Sequence, residues 1–409
     1  MVIFEIERLT DGRASTLLKA YAAQIAARFA PQIFAFISSI ILVRSAGIGV
    51  FGQYAVATAI SLLTIGTLCS ALDMNFLRSG HRERFRTVLA AKLVLFVLSV
   101  PLVLLLFVVS SIPIVAGLIV HAATWLSYVT ESAIVLGRLE ATDFEGSRSK
   151  ILGWTLVTLV YALVRPANLL QIGSLMILGW ACAAAVSLVR LNSRNSTMWD
   201  DVFREIKDAK HLFLVALFTQ VYGTVDIYLL RQFTTEAESG LYRLAQGLSS
   251  PLMVGFGALS MVQLSTISAY LKREELESIR RALGRQVGAV SLIGASSIVL
   301  GLLIYPWIFT NLYLLQPYPV SYVAIAMLVG YSIGGWASTY TNVILVMRGD
   351  SKIATVAGVT AVGNVLLNLV LIPIWGAAGA ACTLILTNVA IAGFLGLVVA
   401  SYLKNKASA

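Results

Sequence analysis

Gln24, Arg28 and Gln32 recur at four-residue intervals inside an otherwise apolar run, TLLKAYAAQIAARFAPQIFAFISSIILVRSA over 16–46. Residues four apart share one helix face, and a membrane-spanning helix needs about 20 largely apolar residues. At about 1.5 Å per residue, Arg28 stands roughly 15 Å into such a span, near mid-bilayer. A charge there costs about 2.5–3.5 kcal/mol on insertion scales, which makes it a functional candidate. Its guanidinium presents a planar fork that meets two oxygens of a phosphate or carboxylate at once. Pro31 beside the stripe removes a backbone N–H, frees a carbonyl and favours a kink. The chemistry this predicts is capture of an anion inside the membrane. The competing expectation is an arginine held by the freed carbonyls, or one snorkelling to the surface.

Other polar residues interrupt apolar runs. Arg243 shares a helix face with Gln246 and Ser250, which suits the wall of a polar cavity. Arg44 and Arg231 close the first and seventh runs. They line the mouth of such a cavity or pair with Glu236, Glu238 and lipid headgroups, the pairing being the stronger expectation. Asp226, with Thr219 and Gly223 on its face, carries a coupling proton or sodium ion, or neutralises an arginine. Asp73 and Glu131 are also coupling candidates, with salt bridges to loop arginines as the simpler expectation. His121 is expected to be hydrogen-bonded within a bundle, and Asn364, Asn368 and Asn388 to join helices. Cys69, Cys182 and Cys382 fall in apolar runs, which argues for packing thiols and against disulfides or a zinc cluster.

These residues need helices to carry them. Hydrophobic residues make up 58% of the chain and charged ones 12%, and twelve apolar windows follow one another. They run roughly 16–44, 50–74, 86–109, 112–137, 150–165, 168–190, 211–232, 239–269, 282–305, 318–346, 352–373 and 376–402. The expected fold is an all-α polytopic membrane protein with about 12 transmembrane helices in two parallel six-helix bundles around a central cavity. The polar stretch 191–210 is the expected linker between bundles at 1–190 and 211–409. The first fifteen residues are charged and lack the signature of a cleaved signal, so the first span is expected to remain as an anchor.

Of the thirty Lys and Arg residues, 25 fall at the N-terminus, the even-numbered loops or the C-terminus, four in the odd-numbered loops, and one is Arg28. The positive-inside rule therefore places both termini in the cytoplasm and explains the net charge of +10 without nucleic acid. An internal repeat supports six spans plus six. Leu42/Leu230, Arg44/Arg231, Gly52/Gly240, Tyr54/Tyr242 and Ala57/Ala245 correspond, and Ser149-Lys150-Ile151 matches Ser351-Lys352-Ile353. Repeats of six spans run parallel, as in transporters with a cavity between two bundles.

At Arg44–Ala55, Asp73, VDIYLLRQFTTEAESGLYRLA (225–245) and GNVLLNLVLIPIWGAAGAACTLIL (363–386), the chain resembles Wzx-type polysaccharide flippases. They belong to the superfamily that also holds MATE drug exporters and lipid II flippases. The resemblance runs the full length, although this chain has Asp73-Met74-Asn75 where that family continues with Asp-Leu-Gly. It implies a polyprenyl-diphosphate-linked oligosaccharide as cargo, an inner-membrane location, membrane lipids and the polysaccharide polymerase or export machinery as partners, and no cofactor. Two other readings stay open. A MATE-like small-molecule antiporter is the nearer, although a cationic interior repels cations. A membrane glycosyltransferase or polymerase would need carboxylates or a sizeable loop, and the odd-numbered loops are short, with Glu236 and Glu238 nearly their only acids. GxxxxGK[ST], HExxH and paired CxxC are absent, as is the second-to-third-span loop motif of major facilitators, so a non-enzymatic transporter driven by a gradient is expected.

The orientation is open to a direct check. The substitutions Ser147→Cys and Asn195→Cys are expected to label only from the cytoplasm, and Ser111→Cys and Gln316→Cys only from outside. Labelling of Asn195→Cys from outside would overturn the assignment, because that loop carries the basic cluster on which it rests.

Overall fold

A computed structural model describes residues 13–139, 143–189, 199–273, 275–346 and 350–408. Among them every long element is a helix. The chain opens with α1 (Arg13–Ser61), which runs through a π-turn (Leu62–Gly66) into α2 (Thr67–Ser79). Then come α3 (Phe85–Val109), α4 (Ile114–Leu139), α5 (Asp143–Val164), α6 (Leu169–Val189) and the short α7 (Trp199–Asp208). The remainder is α8 (Lys210–Phe233), α9 (Glu236–Ser249), α10 (Pro251–Lys272), α11 (Leu276–Trp307), α12 (Pro317–Val346) and α13 (Asp350–Ser408). This is a polytopic all-α membrane protein, with eight continuous helical stretches among the described residues long and apolar enough to span a bilayer.

Glycine and proline divide the apolar runs. The dihedrals of α1 stay helical through Pro31 and leave that region only at Gly47 (φ 82°), the expected junction of the first and second spans. Gly376 (φ 55°) does the same between the eleventh and twelfth. The other odd-numbered connections are tight turns, three of them with a non-glycine residue at positive φ: Ser111, Arg165 and Leu314. Two features differ from the expected boundaries. The eighth span is two helices, α9 and α10, because Pro251 cannot donate to the helical ladder. The linker 191–210 contains α7, whose ten residues are too few and too charged to register as an apolar window.

The π-turn in the second span displaces backbone carbonyls, and hydroxyls meet them. Ser61 donates to the Ala57 carbonyl at 2.8 Å, Thr64 to Ile60 at 2.9 Å and Thr67 to Leu63 at 2.8 Å. Inside a bilayer no water would do this. The outward face of α3 carries Leu93, Val97, Leu98, Leu102, Leu105, Val108 and Val109, all exposed, an apolar surface that suits lipid and not water.

Two compact units result. One is Ala26–Arg243, in which α4 packs on α5 and α6, α3 on α4, and α2 on α8. The other comprises Leu244–Ala409 with residues up to Ile25, and in it α12 packs against α10, α11 and α13. The compact units are thus not cut where the sequence repeat is, since α8 packs with the first unit through α2.

Within the first unit, the repeat-matched glycines meet each other. A Cβ on Gly52 would lie 1.8 Å from the Glu236 carbonyl oxygen, and one on Gly240 would lie 2.6 Å from the Ile48 carbonyl oxygen. Ile48 and Glu236 each stand four residues before the glycine of their own segment, so the contact is reciprocal, as at a two-fold axis. Small residues allow this backbone approach, and Cα–H groups directed at carbonyls add weak attraction. Gly49 has open space where its Cβ would stand and is the matched control. Gly52→Ala is expected to cost about 1–3 kcal/mol or more, read as lost folded protein and a lower melting temperature in detergent. Gly49→Ala is expected to behave as wild type, and equal behaviour of the two would remove the close approach.

Candidate functional site

The side chains of Gln24 and Arg28 lie outside the described residues; the backbone there is helical. Of their stripe, Gln32 is partly buried beside a buried Pro31. Arg44 is exposed at the end of the first span.

The carboxylates differ in their partners. Asp73 on α2 is buried and accepts Lys92 Nζ on Oδ2 at 2.8 Å and Ser132 Oγ on Oδ1 at 3.0 Å. Lys92, fully buried on α3, directs its remaining donors at the Tyr128 carbonyl, 2.9 Å away, and at Ser132 Oγ. All three ammonium donors are therefore used, and helices α2, α3 and α4 are joined at one point. One residue along α4, Glu131 pairs with Lys150 on α5, both about one-third exposed. Salt bridges were expected for both acids, but to loop arginines; the partners are lysines inside helices. Lys92 also corrects the loop count. It is not a topogenic loop charge, because it lies seven residues into α3, about 10 Å along the axis. The sequence held a usable signal, since Val88, Lys92, Leu95, Ser99 and Val103 form the buried stripe of α3.

Asp226 is built differently. It is buried on α8, where Oδ1 accepts the Ile227 N–H at 2.8 Å and Oδ2 accepts the Tyr242 hydroxyl. Arg243 lies close enough for its charge to act on both Asp226 and Tyr54. The repeat-matched Tyr54 and Tyr242 are thus gathered with Asp226 just past the glycine contact. Asp73 and Glu131 are bonded to ammonium groups, so protonating either breaks an ion pair, and the Asp73–Lys92 pair is buried where the dielectric is low. The hydrogen bonds seen at Asp226 come from neutral donors. Arg243 acts on the same carboxylate through its charge, so a cation stands near Asp226 as well.

Beside the glycines runs a polar chain. Glu236 accepts Arg231 Nη2 at 2.8 Å and Gln53 Nε2 at 2.8 Å, while Arg231 Nε donates to the Ser110 carbonyl at 3.1 Å and Gln232 Nε2 to Ser110 Oγ at 3.0 Å. The pairing expected for Arg231 is present. His121 hydrogen-bonds Ser99 at 3.1 Å and stacks on Phe96, as a bundle histidine would. Asn364 joins the two halves of α13 through Thr387, and Asn368 donates to Asn364. Of the cysteines only Cys69 is a packed, buried thiol; Cys182 is exposed.

Charge divides between the units. No charged residue occurs over 244–271, 286–347 or 353–403, so the second unit's helices carry charge only near their ends. Asp73, Lys92, Asp226 and Arg243, together with Arg28, all lie in the first.

Solved structures with this fold include the lipid II flippase MurJ in an inward closed conformation, with a TM-score of 0.75 and 14% identity over 91% of this chain and 86% of that one. An inward-facing multidrug resistance MATE family transporter of the MOP superfamily matches with a TM-score of 0.66 and 14% identity over 94% and 96% of the two chains. The MATE multidrug transporter DinF-BH matches with a TM-score of 0.66 and 14% identity over 94% and 95%. No family model and no curated protein matches the sequence. At this identity the likeness establishes the fold, which is that of MOP superfamily transporters.

The Asp73–Lys92 pair makes a stability prediction. Lys92→Met strands a buried carboxylate and is expected to cost about 3–5 kcal/mol, whereas Asp73→Asn with Lys92→Met is expected to regain most of it. Thermal unfolding of the purified variants in detergent is the measurement. A double variant no more stable than Lys92→Met would show that the two residues do not act as a pair.

Proposed function

We propose that this protein is a flippase that moves lipid-diphosphate-linked oligosaccharide units across the bacterial inner membrane for polysaccharide export, working by alternating access. The observation that carries the reading joins fold and charge. The chain shares its fold with a lipid II flippase, and its first span puts an arginine between two amides at the depth an anionic headgroup must cross. Arg28 clamps the diphosphate with its fork, Gln24 and Gln32 add neutral donors and acceptors, and Arg243 supplies a second cation. Arg44, at the outer end, meets the cargo or the headgroups as it leaves.

In this scheme the reciprocal glycine contact and the Gln53–Glu236–Arg231–Ser110 chain hold the outer ends together until the cargo is loaded. Asp226, a buried carboxylate that accepts the Tyr242 hydroxyl and the Ile227 N–H, couples the cycle to a proton or sodium gradient. The lipid-linked cargo, the membrane lipids and a polysaccharide polymerase are the partners, both termini are cytoplasmic, and the protein is not an enzyme.

A MATE-like antiporter is the second reading, favoured by the fold shared with MATE transporters. Deletion separates the two. Lipid-linked oligosaccharide accumulating on the cytoplasmic leaflet supports the flippase, and a retained soluble drug supports the antiporter.

Arg28→Ala is expected to abolish polysaccharide export at normal levels of inserted protein, and Arg28→Lys to retain part, since lysine keeps the charge and loses the fork. Wild-type export by a folded Arg28→Ala protein would remove the residue from the mechanism. Asp226→Asn is expected to reduce gradient-driven transport while leaving cargo binding nearly intact. Transport by the wild-type protein that does not vary with external pH or sodium would leave Asp226 as a structural partner.

A further inference from the structure

Helix α7 joins two spans and has three faces. Val202, Glu205, Ile206 and Ala209 turn inward, where Val202 and Ala209 enter the core cluster formed by Leu72, Phe76, Phe85 and Val88. Glu205 is 2% exposed and accepts Asn75 Nδ2 at 2.6 Å, with Arg84 Nη1 at 3.6 Å. A second face gathers Asp200, Asp201, Arg204 and Asp208, a charged set suited to water, with Arg204 paired to Asp201 at 3.7 Å. The third face carries Trp199, Phe203 and Lys207 at four-residue spacing and continues to Lys210 at the start of α8.

That third face holds two large aromatics, 66% and 61% exposed, on a helix in which six of ten residues are charged. Among the described residues none covers them. Rotating α7 to bury Trp199 would pull Glu205 away from Asn75 and Arg84 and expose Val202. The helix also cannot leave the membrane surface, because α6 precedes it and α8 begins two residues after it, both of spanning length and composition. Asp200 borders the third face beside Lys207, while Lys207 and Lys210 flank the two aromatics, so the chemistry next to the rings is that of a headgroup layer with negative charge. Aromatic side chains seat at that depth while lysines reach lipid phosphates.

We propose that α7 is an interfacial helix that seats Trp199 and Phe203 among lipid headgroups and sets Lys207 and Lys210 against anionic lipids. Through Glu205 it ties that membrane surface to the end of α2 and the turn before α3, close to the Asp73–Lys92 pair. The third face thus recognises a class of lipid distinct from any transported cargo.

The full-length protein is reconstituted in vesicles of phosphatidylcholine, with or without phosphatidylglycerol, and the emission of Trp199 is taken as wild type minus Trp199→Phe. Lipids brominated near the headgroup are expected to remove most of this emission, aqueous iodide to leave it nearly unchanged, and bromolipid quenching to deepen with phosphatidylglycerol. Lys207→Gln with Lys210→Gln is expected to abolish that dependence while the protein stays folded. Quenching by iodide and not by bromolipid would overturn the proposal and assign the face to water or a soluble partner. Protection from both quenchers would overturn it in favour of a protein cover, such as a second copy. Quenching by bromolipid that ignores phosphatidylglycerol would overturn the anionic preference. Export activity is not read here, so failure would leave the flippase reading where it stood.

Discussion

Two backbones can approach to carbonyl contact only where neither carries a side chain, and the first unit depends on one such place. Gly52 and Gly240 each stand against the carbonyl four residues before the other. Once the second span and the start of α9 are held that close, their neighbours have no choice of partner. Gln53 meets Glu236, Glu236 meets Arg231, and Arg231 reaches the Ser110 carbonyl between the third and fourth spans. Two residues beyond the glycine, Tyr242 meets Asp226. A Cβ at either glycine would force these pairs apart together, because backbone cannot yield as the end of a long side chain can.

A bilayer penalises an isolated charge, and the molecule meets this cost in two ways. At Asp73 and Lys92 opposite charges are matched and every ammonium donor is used, which makes a fixed joint between three helices. Such a pair offers nothing to a ligand, because any new partner would have to replace a bond already made in low dielectric. Asp226 receives hydrogen bonds from neutral groups, with Arg243 near enough to be felt. Under the proposed function, this difference in donors, more than depth alone, separates Asp73 as a fixed joint from Asp226 as a coupling site.

The division of labour between the units follows from the same physics. Helices that carry no internal charge associate through small residues, hydroxyls and amides, as the Asn364–Thr387 and Asn342–Gln263 contacts do. Helices with buried charges need specific partners at fixed registers. Over 244–403 charges stand only near helix ends, so the hydrogen bonds inside those helices are made by neutral groups.

Much was legible in the sequence alone. Hydrophobic run length gave the spans, because a bilayer demands a minimum apolar length whatever the partners. Gly47 and Gly376 marked junctions, because only glycine takes those backbone angles freely. Asp73, Glu131 and Asp226 stood out because charge is rare in such runs. Partners were another matter. Lys92 lies close enough to the end of its span to look like a loop charge, and only its place on the buried stripe beside Leu95 and Ser99 separates the two. That Asp226 meets Tyr242 and Asp73 meets Lys92 was decided by which helix faces meet, a long-range property that no local spacing encodes. The meeting of Gly52 with Gly240 was decided in the same way. Repeat matching had paired them as equivalents, but equivalence in sequence is not contact, and only tertiary packing put the two on one axis.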